Sequence, residues 1–151
     1  MRVKLIKDFL LYIEDCHKAL AELYQRLSLE ANDEKVKLLL EYMKNKEQLS
    51  YCHLHQYVQQ APLSLLNAWL EDIFDQSFPQ RCKELKFQPE LALEDVVTLA
   101  IQLDMQLIDA MQAAAINSST PEAESALEGL TSQEEEMLYQ VVMASHEFEY
   151  I

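Results

Sequence analysis

Four long stretches of the chain place apolar residues at steps of three and four. The first, from about Val3 to Ala31, carries Ile6, Phe9, Leu10, Ile13, Cys16, Leu20, Leu23, Tyr24, Leu27 and Ala31. On a helix of 3.6 residues per turn these fall on one face. The second, from about Glu34 to Gln60, carries Val36, Leu39, Leu40, Met43, Leu54, Tyr57 and Val58. A third, from about Leu93 to Ile116, carries Val96, Ala100, Leu103, Leu107, Met111 and Ala114. The fourth continues to about Phe148, with Ala123, Leu127, Leu130, Leu138, Val141, Ala144 and Phe148 on one side. Turn chemistry agrees with four long helices. The 151 residues include one glycine, Gly129, whereas a sheet protein of this length needs many tight turns, which consume glycine. The expected fold is all-α, in one domain over residues 1–151.

The connections decide how four helices are arranged. Asn32-Asp33 makes a short turn, with Asp33 placed to cap the second helix. Asn117-Ser118-Ser119-Thr120-Pro121 makes another, with Pro121 suited to a first helical position. Short turns join antiparallel neighbours, so hairpin 1 covers about residues 3–60 and hairpin 2 about 93–148. The crossover between them, about residues 61–92, contains Pro62, Pro79, Pro89 and a short helix, expected in the amphipathic piece around Leu65 to Phe74. A helix of this size is about 40 Å long at 1.5 Å per residue. The crossover is long enough to run back along it, which makes the second and third helices parallel. A shift of 87 residues superimposes the hairpins weakly, placing Leu20 on Leu107, Leu40 on Leu127 and Glu47 on Glu134.

Charge and cysteine content exclude several classes. A formal charge of −14 repels phosphate backbones and anionic lipid, so neither nucleic acid nor a membrane surface is an expected partner. No run of about 18 apolar residues is long enough to span a bilayer, and Met1 to Asp8 breaks its apolar residues with charge, unlike a signal peptide. Cys16, Cys52 and Cys82 form no C-x-x-C pair and read as reduced thiols of a cytoplasmic protein. There is no glycine-rich phosphate loop, hence no nucleotide, and no nucleophile motif.

The informative residues are ionisable ones on core faces. Glu47 lies about 40° from Met43 around the second helix, and Ser50 about 20° from the same line. Asp104 falls between Ala100 and Leu107, and Glu134 between Leu130 and Val141 with Met137 beside it. His17 lies at the edge of the first stripe. His17 and Glu47 each stand about 15 residues from the first turn, and Asp104 and Glu134 bear the same relation to the second. The four side chains therefore share one level. Three carboxylates and an imidazole in an apolar interior need compensation. A divalent cation supplies it; so does a hydrogen-bonded polar layer with a protonated His17. Other ionisable groups read as solvated or surface: Glu14, in Glu14-x-x-His17, lies off the stripe, His53 and His55 straddle the second stripe, His146 is near the C-terminus, and Glu135 and Glu136 belong to a solvated face. Tyr24 and Tyr51 flank the level.

Leu23-Tyr24, then Asp33-Glu34-Lys35-Val36-Lys37-Leu38-Leu39-Leu40, and in the second half Ala100-Ile101-Gln102-Leu103-Asp104 and Thr120-Pro121-Glu122, resemble the rubrerythrin branch of the ferritin-like superfamily over nearly the whole chain. The resemblance implies a ferritin-like four-helix bundle. It also implies a centre in which each hairpin gives a Glu from its first helix and a Glu-x-x-His from its second, holding two irons or manganese ions. On that pattern His17 and Asp104 stand where the first-helix Glu residues are expected. Glu47 and Glu134 are kept, and Ser50 and Met137 replace the two histidines. A normal di-iron oxidoreductase is therefore not expected. The expected centre binds at most one divalent metal (Fe, Mn or Zn) through His17, Glu47, Asp104 and Glu134, in an iron- or peroxide-related role. The alternative is a metal-free, non-catalytic interaction or scaffold protein that kept the fold. A third possibility is a bundle that binds a small molecule in the room left by the lost ligands. The resemblance also implies a homodimer, to which the apolar residues Trp69, Phe74 and Phe78 of the crossover would contribute.

Overall fold

The computed structural model describes residues 3–71 and 75–150. In chain order the elements are β1 (Val3–Leu5), α1 (Ile6–Glu30), α2 (Glu34–Gln60), α3 (Leu63–Leu66), β2 (Trp69–Glu71), α4 (Phe78–Glu84), α5 (Leu93–Ile116) and α6 (Pro121–Glu149). The four expected helices are present, and α1 with α2, and α5 with α6, form antiparallel hairpins packed along their length. Their starts are set by local chemistry. The Asp33 carboxylate accepts from the Lys35 N–H at 2.8 Å, and the Thr120 hydroxyl accepts from the Ala123 N–H at 3.1 Å. Each satisfies one of the N–H groups that a helix start leaves without a partner. Pro121 occupies the first turn, where its missing N–H costs nothing.

Both ends of the crossover are tied. At its start, β2 pairs antiparallel with β1, Val3 opposite Glu71 and Leu5 opposite Trp69. The same segment reaches the second turn: Leu70 bridges Ser118, and the Ser119 N–H donates to the Trp69 carbonyl at 2.9 Å. Towards its far end, the Pro89 carbonyl accepts from the Asn32 N–H of the first turn at 3.1 Å. The crossover thus traverses the bundle from one end to the other, and α5 starts at the end where α2 starts. Helices α2 and α5 run parallel, the single-crossover arrangement expected from the connection lengths.

Three local expectations need correction. Val3–Leu5 is a strand rather than the start of α1, because burial of the stripe begins only at Ile6, while Val3 and Leu5 remain exposed and find a ladder partner in β2. The amphipathic piece around Leu65 to Phe74 is not one helix: α3 ends at Leu66 and β2 follows. Phe74 lies outside the described residues. Helix α4 was not expected, since Pro79 reads as a connector residue, yet it falls in the first turn of α4, where proline is tolerated. Phe78 and Cys82, one turn apart, are buried, so Phe78 is a core residue and not part of an exposed patch. Trp69 is about half exposed. The guanidinium of Arg26 on α1 fastens α4 by donating to the carbonyls of Leu85 at 2.6 Å and Cys82 at 3.1 Å, groups that the last turn leaves without intrahelical partners.

The core is one cluster built from all four stripes, with Leu65, Leu66, Leu70, Phe78 and Cys82 of the crossover added. Among the described residues no helix is long and apolar enough to cross a membrane.

Candidate functional site

Inside this core, His17, Glu47, Asp104 and Glu134 are all buried, one from each long helix, as their common level requires. His17 of α1 is the hub. Its Nδ1 lies 2.6 Å from Glu47 Oε2 on α2, and its Nε2 lies 2.7 Å from Glu134 Oε1 on α6. Burial alone would pull the histidine's proton affinity down, but the Glu134 and Glu47 carboxylates override it and hold the imidazole well above its ordinary range. Both ring nitrogens then carry hydrogen and donate, one to each carboxylate. Burial pushes Glu47 up as well, with His17 opposing and Glu134 reinforcing the shift, so the His17–Glu47 pair holds its proton tightly.

Asp104 of α5 completes the layer differently. Burial, and then the neighbouring Glu47 and Glu134, push its carboxyl well above the ordinary value. Asp104 Oδ1, Glu134 Oε2 and the Tyr24 hydroxyl have no hydrogen-bond partner among the described groups. Tyr24 is fully buried, and its hydroxyl is pushed up by burial and then by Asp104 and Glu47. Three buried polar atoms without a partner mark the layer as unfinished.

The two replaced positions adjoin it. The Ser50 hydroxyl lies 2.8 Å from the Met137 sulfur, and both line a cavity of about 800 Å³ between α2 and α6 whose floor includes His17 and Glu134. Of the Glu134-Glu135-Glu136 run, only Glu134 is turned inward, as its position on the stripe requires.

One buried acid was misread from sequence. Glu14, expected in solvent, is only 4% exposed; its Oε1 lies 2.8 Å from Nδ1 of the half-exposed His55, against which Tyr51 stacks at 5.9 Å between ring centroids. Tyr51 therefore belongs to this pair, not to the central layer. The available signal was Ala21, seven residues on and on the same side of α1, which is also buried. Helix α1 buries a wider face than its apolar stripe.

The residues do not fit the dinuclear centre that the family pattern implies. A doubly protonated imidazole has no lone pair to give a metal, and His17 lies between the two carboxylates that the pattern assigns to the metals. Among the described residues, no group of three or more His, Cys, Asp or Glu is arranged to hold a metal ion.

Comparison with known proteins places the fold. No protein-family model matches the chain, and no curated protein matches it in sequence. A crystal structure from Thermotoga maritima, described as a ferritin-like diiron-carboxylate protein, superimposes with a TM-score of 0.62 at 17% identity, covering 97% of this chain and 98% of that one. The bundle has the ferritin-like fold.

Proposed function

We propose that this ferritin-like bundle is a metal-independent binding protein in which the His17 imidazolium takes the place of a central cation. The observation that carries the reading is the pair of short contacts from one ring to Glu47 and Glu134. A single proton-bearing side chain there compensates two buried carboxylates, the role that metals play in the pattern the sequence resembles. Both Glu-x-x-His histidines are replaced, so a metal pair there would lack the two imidazole ligands of that pattern.

The test is metal analysis of protein purified without added metal, followed by titration with Fe(II), Mn(II) and Zn(II). The expected content is below about 0.1 equivalent, with no rise in melting midpoint on addition of metal; a ligand that binds only the folded state raises stability by RT ln(1 + [L]/Kd), about 2.7 kcal/mol at a hundred times Kd. One tightly bound equivalent and a metal-dependent midpoint would overturn this reading.

A second reading has one observation in its favour. Asp104 Oδ1 and Glu134 Oε2 are carboxyl oxygens free of partners in the same layer, which suits one hard divalent cation held by His17, Glu47, Asp104 and Glu134 after His17 gives up a proton. Metal uptake that rises with pH and releases protons distinguishes it.

A further inference from the structure

Charge is divided unevenly between the two hairpins. From Leu93 to Tyr150 the chain has no lysine or arginine and twelve acids, whereas Ile6 to Gln60 holds seven of the 12 Lys and Arg beside nine acids. Two copies meeting through α5 and α6 would set acid against acid, which is unfavourable. The α1–α2 hairpin is the long face that can meet itself. Its outer side carries a groove of about 770 Å³, lined along α1 by Lys18, Glu22, Arg26 and Glu30. These four follow one another at every fourth residue and alternate in sign. Neighbours at that spacing on a solvated helix commonly pair with each other. Here they do not: among the described residues Lys18, Glu22 and Glu30 form no ion pair, and Arg26 spends its guanidinium on the carbonyls of Leu85 and Cys82.

Read backwards, a column of alternating sign with four members is its own complement. When two copies of α1 meet antiparallel about a twofold axis beside position 24, residues whose numbers add to 48 face each other. Lys18 then faces Glu30 of the partner subunit, Glu22 faces Arg26 of the partner subunit, and the two reciprocal contacts follow. Leu29, 74% exposed on the same groove, comes within an axial offset of about 3 Å of Ala21 of the partner subunit. We propose that the chain forms an isologous homodimer in which α1 packs antiparallel on α1 across this groove, with Lys18 of each copy paired to Glu30 of the other.

Rows of every fourth residue are the ridges by which helices pack at a crossing angle of about −50°. The paired stretch, Lys18 to Glu30, is about 20 Å of helix, so the contact is modest and the dimer depends on concentration. Arg26 keeps its charge at the groove while it holds α4, so the central contacts act through the field and the outer pair makes direct contact. Cys52, three residues before the His55 that meets Glu14, is level with α1 upstream of Lys18 and stays outside the pairing. The His17 layer takes no part, so the proposal is independent of the reading of that centre.

The experiment is sedimentation equilibrium of the full-length protein at concentrations from about 1 to about 300 μM, where a dimer with Kd of about 1–100 μM is expected. Lys18→Glu and Glu30→Lys, both at exposed positions, should each weaken the dimer at least about tenfold, by setting like charges opposite one another. An equimolar mixture of the two variants should recover affinity to within about threefold of the natural chain, because Glu at 18 then faces Lys at 30 in both contacts. The double variant Lys18→Glu/Glu30→Lys should recover it within a single chain. A role confined to each α1 helix would leave the mixture as weak as its components. A monomer throughout the range, single variants that dimerise like the natural chain, or a mixture that does not recover would overturn the proposal.

Discussion

The Ser50 hydroxyl and the Met137 sulfur meet at 2.8 Å, and the two residues are 87 positions apart in the chain. That separation is the shift that superimposes the two hairpins, so equivalent positions of the repeat touch across the middle of the bundle. Glu47 and Glu134, equivalent under the same shift, are both bound by His17. The replaced positions therefore already point the correct helix faces at one another. Restoring the family pattern with His17→Glu, Ser50→His, Asp104→Glu and Met137→His is expected to create Fe(II) and Mn(II) binding beyond that of the natural sequence. Metal analysis reads the outcome; a refolded quadruple variant that takes up less than about 0.1 equivalent would show that backbone spacing, not side-chain identity, is wrong for metal.

Stability should fall as pH rises. His17 binds its proton more tightly folded than unfolded, so its contribution is complete below its ordinary value of 6.5 and is lost as pH climbs towards the raised folded value. Asp104, also raised in the folded state, has the same sign from its ordinary 3.8 upward. Thermal melts between about pH 5 and about pH 10 should show a midpoint declining through the neutral and alkaline range. In His17→Gln the decline above pH 6.5 should shrink, at a cost of about 3–5 kcal/mol for leaving the glutamates uncompensated. An unchanged slope in that variant would remove His17 as its source.

Much of this was legible in the sequence. The four stripes, the Asp33 and Thr120 caps and the connection lengths determined the helices and their directions, because each depends on local periodicity or local hydrogen bonding. The common level of His17, Glu47, Asp104 and Glu134 followed from counting residues from two turns. What spacing does not encode is which atoms meet: that one ring engages both glutamates depends on rotamers and on the distance between helices. Helix α4 escaped because seven residues carry too little periodicity, and its anchor, Arg26, lies 59 positions from Leu85. Glu14 escaped because a polar residue on a wide buried face looks solvent-facing.

Gly129 is an exposed residue of α6, and a Cβ added there would meet nothing within 4 Å. Among the described residues no backbone position has positive φ. Gly129→Ala should therefore stabilise the protein by about 0.5–1 kcal/mol through helix propensity and a less free unfolded chain. Denaturant midpoints test it, and a loss of stability would mean that the α6 surface at this position is covered by something.

The three cysteines should separate cleanly by reactivity. Burial pushes the Cys16 and Cys82 thiols up to about 12, while Cys52 is exposed. A thiol reagent at neutral pH should modify one cysteine in the native protein and all three after unfolding, with mass spectrometry placing the fast label on Cys52. Rapid native labelling of Cys82 would show that α4 leaves the bundle readily.

Two separate copies of one hairpin, paired about a true twofold axis, would have to carry the same residue at both first-helix positions. Joining the hairpins in tandem frees those positions to differ, and here one is an imidazole that bridges the two glutamates while the other is a short acid. An off-centre bridge of this kind is closed to two identical hairpins, and the crossover gives a single chain the asymmetry it requires.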